Sequence, residues 1–250
     1  MNLRGKAALV TGGRRVGGAL AMLLADRGAS VAMTYHTSRD AIERTVAAVE
    51  LRGVSGLAVR ADLSDAKQAE RAVAETINGF GRIDVLVNMA SVYRRTPFAT
   101  LQPGDFDAMI AANLAAPYHT AIATAERMLS QPAHDGIRGK IVFVGDWASD
   151  RPYRDYLPYL VAKGALKTLT ASLARELAPH VTVNLVQPAM IDPPPDMTSD
   201  DQAAVVAATP LRRLGSADDL NRLILYLLEG TDFVTGAAYR VDGGRFLGDS

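Results

Sequence analysis

Ala7-Ala8-Leu9-Val10-Thr11-Gly12-Gly13-Arg14-Arg15-Val16-Gly17-Gly18 is the stretch on which the fold turns. A short apolar run ends in a glycine-rich turn. Helical spacing starts directly after it, with Ala19, Leu20, Leu23 and Leu24 on one face. A strand turning tightly into a helix brings free N–H groups and a positive dipole end to the strand's carboxyl edge. Glycines there let the backbone approach a pyrophosphate. From the residues alone the turn is either a dinucleotide cradle or a tight connection with no ligand. Gly12, Arg14, Arg15, Val16 and Gly17 are the cradle candidates.

Working outward, residues 7–10, 30–33, 57–59, 83–87, 141–144 and 181–186 read as strands, with a seventh at 238–241. Their apolar runs are continuous, as in parallel strands buried on both faces. Helical spacing lies between them, for example Ile42, Val46 and Val49 ahead of a capping Gly53. This alternation predicts an α/β fold: one doubly wound Rossmann-type domain over 1–250, with a mainly seven-stranded parallel sheet flanked by helices. Residues 188–210 break the pattern with Pro193-Pro194-Pro195 and a polar run. The segment around 188–215 is read as a substrate lid, with an ordinary surface loop as the alternative.

Composition narrows the class. The chain has 250 residues, 48% of them hydrophobic, which excludes a disordered chain. Its 27 basic and 27 acidic residues cancel, so no global charge draws it to nucleic acid or a membrane. With no cysteine there is no disulfide scaffold, thiolate metal site or cysteine nucleophile. The four histidines, His36, His119, His134 and His180, have no metal-ligand spacing, so no metal is expected. No apolar run approaches a membrane span and no secretory leader is read at the start. A cytoplasmic location is therefore expected.

Cofactor choice is read at the end of the second strand. An acid there would hold a ribose 2′-hydroxyl. The sequence instead gives Tyr35-His36-Thr37-Ser38-Arg39, with no acid before Asp40. His36, Thr37, Ser38 and the turn arginines suit a 2′-phosphate, so NADPH is expected over NADH. The alternative is that Arg14, Arg15 and Arg39 are solvated charges.

Tyr159 and Lys163 stand four apart at the start of a helical stretch reaching residue 178, and so share a face. An ammonium beside a phenol is expected to lower the phenol's pKa and make it a usable proton donor.

Over nearly its whole length the chain resembles the short-chain dehydrogenase/reductases. The landmarks occur in order: Thr11-Gly12, Asp62-Leu63, Asn88-Met89-Ala90-Ser91, Asn113, Tyr159 with Lys163, Asn184, Pro188, and Val241-Asp242-Gly243-Gly244. The resemblance implies that Asp62 and Leu63 flank the adenine and that Asn88, Ala90 and Pro188 line the cofactor cleft. It implies that Asn113 anchors a proton-relay water and that Lys163 also binds the nicotinamide ribose. It further implies a homotetramer, built on the helix before strand five and the helix carrying the tyrosine. On the latter, Ala165, Leu166, Leu169, Leu173 and Leu177 form an apolar face that must also cover the sheet.

Two departures point within the family. Asp146 stands thirteen residues before Tyr159, where the family's usual serine would be. The phosphate turn carries arginine and is one residue short. Both features resemble the pteridine reductases and related dihydromonapterin or dihydrofolate reductases. Ser91-Val92-Tyr93 falls where those enzymes carry a serine and an aromatic that stacks on the pterin. The expected substrate-binding set is therefore Arg15, Ser91, Tyr93, Asp146 and Tyr159, and the expected catalytic set is Asp146, Tyr159, Lys163 and Asn113. From the residues alone, Tyr93 is either a stacking wall or a surface aromatic, and Trp147 is either a pocket wall or core. Asp218-Asp219 reads as the first turn of a helix, and Arg212-Arg213 as a solvated face. The leading reading is an NADPH-dependent reductase of a pterin-like substrate. The alternatives are a ketone or 3-oxoacyl reductase, and a non-catalytic nucleotide-sensing or scaffold protein.

Overall fold

In the computed structural model, which describes residues 1–13, 16–133, 136–193 and 197–248, β1 (Ala7–Thr11) runs into α1 (Val16–Asp26) at the middle of the sheet. Arg14 and Arg15 lie outside the described residues, as do His134 and two of the three lid prolines. The chain continues through β2 (Ser30–Tyr35), α2 (Arg39–Glu50), β3 (Gly56–Arg60), α3 (Ala66–Phe80) and β4 (Val85–Asn88). Then come α4 (Pro103–Ile110), α5 (Ala116–Ser130), β5 (Gly139–Val144), α6 (Leu157–Leu177) and β6 (Val181–Pro188). The last elements are α7 (Ser199–Ala207), α8 (Ala217–Leu225) and β7 (Ala238–Val241). Among the described residues, seven parallel strands form one sheet in the order β3-β2-β1-β4-β5-β6-β7. The order reverses between β1 and β4, which opens a crevice at their carboxyl ends.

Alternation along each strand explains the continuous apolar runs. Ala8 and Val10 of β1 join Leu20, Leu24, Ile42 and Ile224 in the core under α1, α2 and α8. Leu9, between them, joins Val73, Met128, Leu166 and Leu173 in the core under α3, α5 and α6. Both faces of the sheet are covered, so neither set of side chains faces water. Leu166, Leu173 and Leu177 are therefore spent on the chain's own core. The apolar surplus on α6 lies instead at Leu157 and Val161, both exposed.

One expectation about local structure changes. The 188–215 segment is not irregular throughout. Thr198 caps α7 by accepting the Asp201 N–H at 3.1 Å. α7 buries none of its residues. The segment's two ends are joined by a parallel bridge between Ile191 and Gly215. The first-turn reading of Asp218 and Asp219 holds, with Ser216 capping α8. Arg212 and Arg213 are both exposed, as a solvated face requires, and Arg213 makes a two-bond surface pair with Asp219 at 2.6 and 2.8 Å. Among the described residues no helix is long and apolar enough to cross a membrane.

Candidate active site

The crevice at the switch point widens into a cleft of about 1900 Å³. Its floor is the turn after β1. Gly12 and Gly13 hold φ of 64° and 100°, in the left-handed region. A Cβ on Gly12 would lie 2.8 Å from the Ala90 Cα, and one on Gly13 would lie 2.5 Å from the Gly17 Cα. The turn thus has backbone where any larger residue would put a side chain. Thr11 fixes the neighbouring strand end, its hydroxyl accepting the Met89 and Ala90 N–H groups at 3.1 and 3.2 Å. The same hydroxyl lies 3.4 Å from the Asn88 side-chain oxygen.

At one end of the cleft lie His36, Thr37 and Ser38, with no carboxylate at the end of β2. Ser38 occupies the N-cap of α2, yet its side chain makes no capping bond. Ser38 is among the residues that line the cleft. Arg39 is exposed and paired with Glu43 at 2.7 Å. Asp62 and Leu63 line the same end. Asp62 accepts from the Ser64 hydroxyl and N–H, and those bonds hold its carboxyl below the ordinary value. Val16 and Ala90 line the cleft beside the turn, and Pro188 lines it at the end of β6, on the far side of the switch point.

The other end brings Asp146, Tyr159 and Lys163 together. Asp146 leaves β5 and caps a short turn, one carboxylate oxygen accepting the Ala148 N–H at 2.8 Å. The other accepts the Tyr159 hydroxyl at 2.8 Å. Gln187 of β6, buried, donates to the Asp146 carbonyl at 3.2 Å and so fixes the main chain there. Lys163 donates to the Val144 carbonyl at 2.9 Å and stands 5.9 Å from the centre of the Tyr159 ring.

Burial, not the lysine, governs the phenol. Tyr159 is 5% exposed, and desolvation followed by the Asp146 charge pushes its pKa well above the ordinary value. The expected lowering by Lys163 does not occur. Lys163 is itself so deeply buried that its ammonium is pushed down to about 8, against a smaller opposing pull from Asp146. Asp146 is raised by desolvation, with the Ala148 and Tyr159 bonds and the Lys163 charge opposing. Tyr159 is thus a phenol whose proton points at a carboxylate.

Asn113 corrects a second expectation. It lies in a π-helical turn between α4 and α5 and is completely buried. Its side-chain oxygen accepts from the Ser91 hydroxyl at 2.7 Å and the Val92 N–H at 3.1 Å. Its NH2 donates to the carbonyls of Val92 and Met109 at 3.0 and 3.2 Å. All four positions of the amide are taken by protein, so the side chain has none left for a water. It positions the Ser91-Val92 loop.

That loop carries Tyr93, which stacks on Tyr156 at 4.5 Å and meets Tyr159 edge-on at 5.0 Å. Its hydroxyl lies 3.2 Å from that of Tyr153. Trp147 lines the cleft beside this group. Tyr153 and Tyr156 were not singled out from the sequence. Tyr156 is the N-cap of α6 and Tyr153 lies in the loop before it, so no helical spacing marks them.

Comparison with known proteins places this arrangement. A family model described as enoyl-(acyl carrier protein) reductase matches residues 12–245. The 3-oxoacyl-(acyl-carrier-protein) reductase of Staphylococcus aureus is 30% identical over 247 residues, covering 97% of this chain and 98% of its own. Versicolorin reductase 1 of Aspergillus parasiticus is 30% identical over 262 residues, covering 98% and 97%. Among solved structures, a short-chain dehydrogenase/reductase of Serratia marcescens superposes with a TM-score of 0.89 at 33% identity, covering 98% and 99%.

Proposed function

The chain belongs to the short-chain dehydrogenase/reductases, a family of oxidoreductases, and from that premise we propose that it is an NADPH-dependent reductase of a pterin-like substrate. The single observation that carries the substrate class is the Asp146–Tyr159 bond at 2.8 Å beneath the Tyr93–Tyr156 stack.

The residues present fit a dinucleotide. The cradle at Gly12 and Gly13 admits no Cβ, and its backbone would carry the pyrophosphate. His36, Thr37 and the uncapped Ser38 would meet a 2′-phosphate; Arg14 and Arg15, expected to join them, lie outside the described residues. Asp62, Leu63, Ala90, Val16 and Pro188 would flank the rest, while Asn88, buried and not part of the lining, would act through Thr11. When bound, NADPH would supply the hydride.

The protein's own part is to hold the substrate and move a proton. A carboxylate only accepts hydrogen bonds and has about four lone-pair sites. Two are used by Ala148 and Tyr159, which leaves Asp146 able to accept from the amino and ring N–H groups of a pterin. Tyr159, held protonated by burial, would turn its one proton from Asp146 to a ring nitrogen, and the phenolate left after transfer would be reprotonated from solvent. Tyr93 offers a flat face within a cleft that excludes water on one side. Lys163 is placed to orient the nicotinamide ribose and to balance the charge of Asp146.

A second reading, reduction of a ketone or 3-oxoacyl thioester, has a specific observation in its favour. The similar proteins include a 3-oxoacyl-(acyl-carrier-protein) reductase and a protein named as a ketoacyl reductase of a polyketide synthase. On that ground the carbonyl reading is the better supported by likeness. Against it stands Asp146: an ionised carboxylate repels the oxyanion that a carbonyl develops. Loss of NADPH absorbance with a panel of dihydropterins, dihydrofolate, simple ketones and a 3-oxoacyl thioester decides between them. Turnover confined to the carbonyl substrates would overturn the pterin reading. No turnover of any would favour the non-catalytic alternative.

A further inference from the structure

Beyond Trp147 the cleft is lined by arginines from two distant parts of the chain. Arg151 follows the turn that Asp146 caps, and Arg245 follows β7 in the Gly243-Gly244 turn. Both are half-buried. Their surroundings differ from those of the other cleft cations. Arg213 is paired with Asp219, and Arg240 reaches Asp150 at 3.4 Å while lying 3.9 Å over the Phe246 ring. Among the described residues neither Arg151 nor Arg245 has a carboxylate within ion-pair distance. The acids nearest in sequence are engaged elsewhere: Asp150 with Lys167 and Arg240, and Asp242 with the N–H groups of Gly244 and Phe246 at 2.9 and 3.0 Å.

Main-chain carbonyls hold both guanidiniums in place instead. Arg151 donates through one terminal nitrogen to the carbonyls of Phe246, at 2.8 Å, and Gly248. Arg245 donates through one terminal nitrogen to the Val205 carbonyl of α7 at 2.9 Å and stands 5.7 Å from the Trp147 ring. Each guanidinium has five N–H donors, and among the described residues only one nitrogen of each is bonded. Two like charges in a half-dry cleft repel. Burial first and the Arg151 charge second push the Arg245 guanidinium below its ordinary value. An oxyanion between them would relieve both costs and take two charge-assisted forks.

We propose that Arg151 and Arg245 form an anion subsite at the far end of the substrate cleft, which binds a carboxylate or phosphate on the tail of the substrate. It rests on the reading that this cleft takes the substrate, and within that reading it selects dihydropterins with an anionic tail, such as dihydrofolate, over tailless ones. Because Arg245 also holds Val205, the bound anion and the 188–215 segment share one residue.

The test uses Trp147, the single tryptophan. Its emission is followed as the full-length protein is titrated with glutarate or with inorganic phosphate, against sodium chloride at matched ionic strength to remove screening. A saturable change is expected with the anions and not with chloride. Saturation by glutarate assigns a carboxylate tail, and saturation by phosphate alone assigns a phosphoryl tail. Arg245→Gln and Arg151→Gln should each raise the half-saturating concentration roughly tenfold, whereas Arg175→Gln, at the exposed end of α6, should not. With substrates, Arg245→Gln should raise KM for dihydrofolate roughly tenfold and leave KM for dihydrobiopterin within about twofold. No saturable change in the wild-type protein, or one that survives both substitutions, overturns the subsite. If no dihydropterin turns over but the anion titration holds, the pterin reading falls and the subsite stands.

Discussion

Lys163→Met should stabilise the ligand-free protein at neutral pH while abolishing turnover. Lys163 is 3% exposed, and its ammonium is pushed from 10.5 to about 8. The unfolded chain therefore holds more protons than the folded one between those values, and stability rises with pH through that window. Below it the folded protein carries the full cost of the ill-solvated charge, about 3 kcal/mol at 1.36 kcal/mol per unit. Methionine keeps the stem's volume and removes the charge. It also leaves the Val144 carbonyl without the 2.9 Å bond, a loss of about 1 kcal/mol. The net gain at pH 7 is about 2 kcal/mol, or about 4–8 °C in Tm for a chain of this size. By pH 10 the wild-type lysine is largely neutral in the folded state and the gap should close. Thermal melts of both proteins at pH 7 and pH 10 measure it. A variant less stable at pH 7, or a gap independent of pH, refutes the reasoning that burial dominates this site.

Asp146→Asn should keep NADPH affinity, lose most dihydropterin turnover, and melt higher than wild type at neutral pH. The Asp146 pKa is raised, so its cost is absent in acid and grows as pH rises through the folded value; the difference in Tm should shrink on acidification. Wild-type turnover in this variant would remove the main support for the pterin reading. Gly12→Ala should weaken NADPH binding and lower stability by about 1–2 kcal/mol, from the left-handed φ alone, with the contact to Ala90 adding to it; an unchanged Kd in titration would show that the turn is not the cradle. NADPH should bind at least roughly tenfold tighter than NADH, and Arg15→Ala should erode that preference. Equal dissociation constants would return the choice to NADH. Light scattering should report a homotetramer at micromolar concentration, with Tyr118 on α5 and Leu157 and Val161 on α6 as the exposed apolar positions available to a partner; a monomer refutes it.

The parts of the fold that were legible in the sequence are those where local pattern and tertiary burial agree. Strands covered on both faces must be apolar at every position, so β1 to β6 stand out as unbroken runs, and the register of the sheet adds only a residue or two at each end. The Tyr159–Lys163 spacing was legible because a helix fixes it. α7 was not, because the proline triplet ahead of it and its acidic first turn read as a loop, and it buries no residue that would leave a periodic signal. The ionisation of Tyr159 was not legible either. A lysine four residues away is visible in sequence, but the desolvation that outweighs it comes from Met109, Ala148 and the other residues packed around the ring. Arg151 and Arg245 belong to segments that only the closing of β7 onto β6 brings to one cleft. No local pattern could pair them.

The replacement of a hydroxyl donor by Asp146 alters more than one contact. With a serine at that place, Tyr159 would face a neutral partner and Lys163 would be the only charge in the pocket. Here the carboxylate balances the ammonium, takes the phenol's hydrogen bond, and opposes ionisation of the phenol through its charge. The three groups therefore titrate together, and a substrate that expels the remaining water shifts all of them at once. Such a site is poor at holding an oxyanion and good at holding N–H groups while a neutral phenol stands ready to protonate a ring nitrogen. That is why the substrate question turns on Asp146 rather than on overall likeness. Likeness of about 30% over nearly the whole chain shows the family and not the substrate. The residue that meets the reacting group is the one that sets which substrate the fold serves.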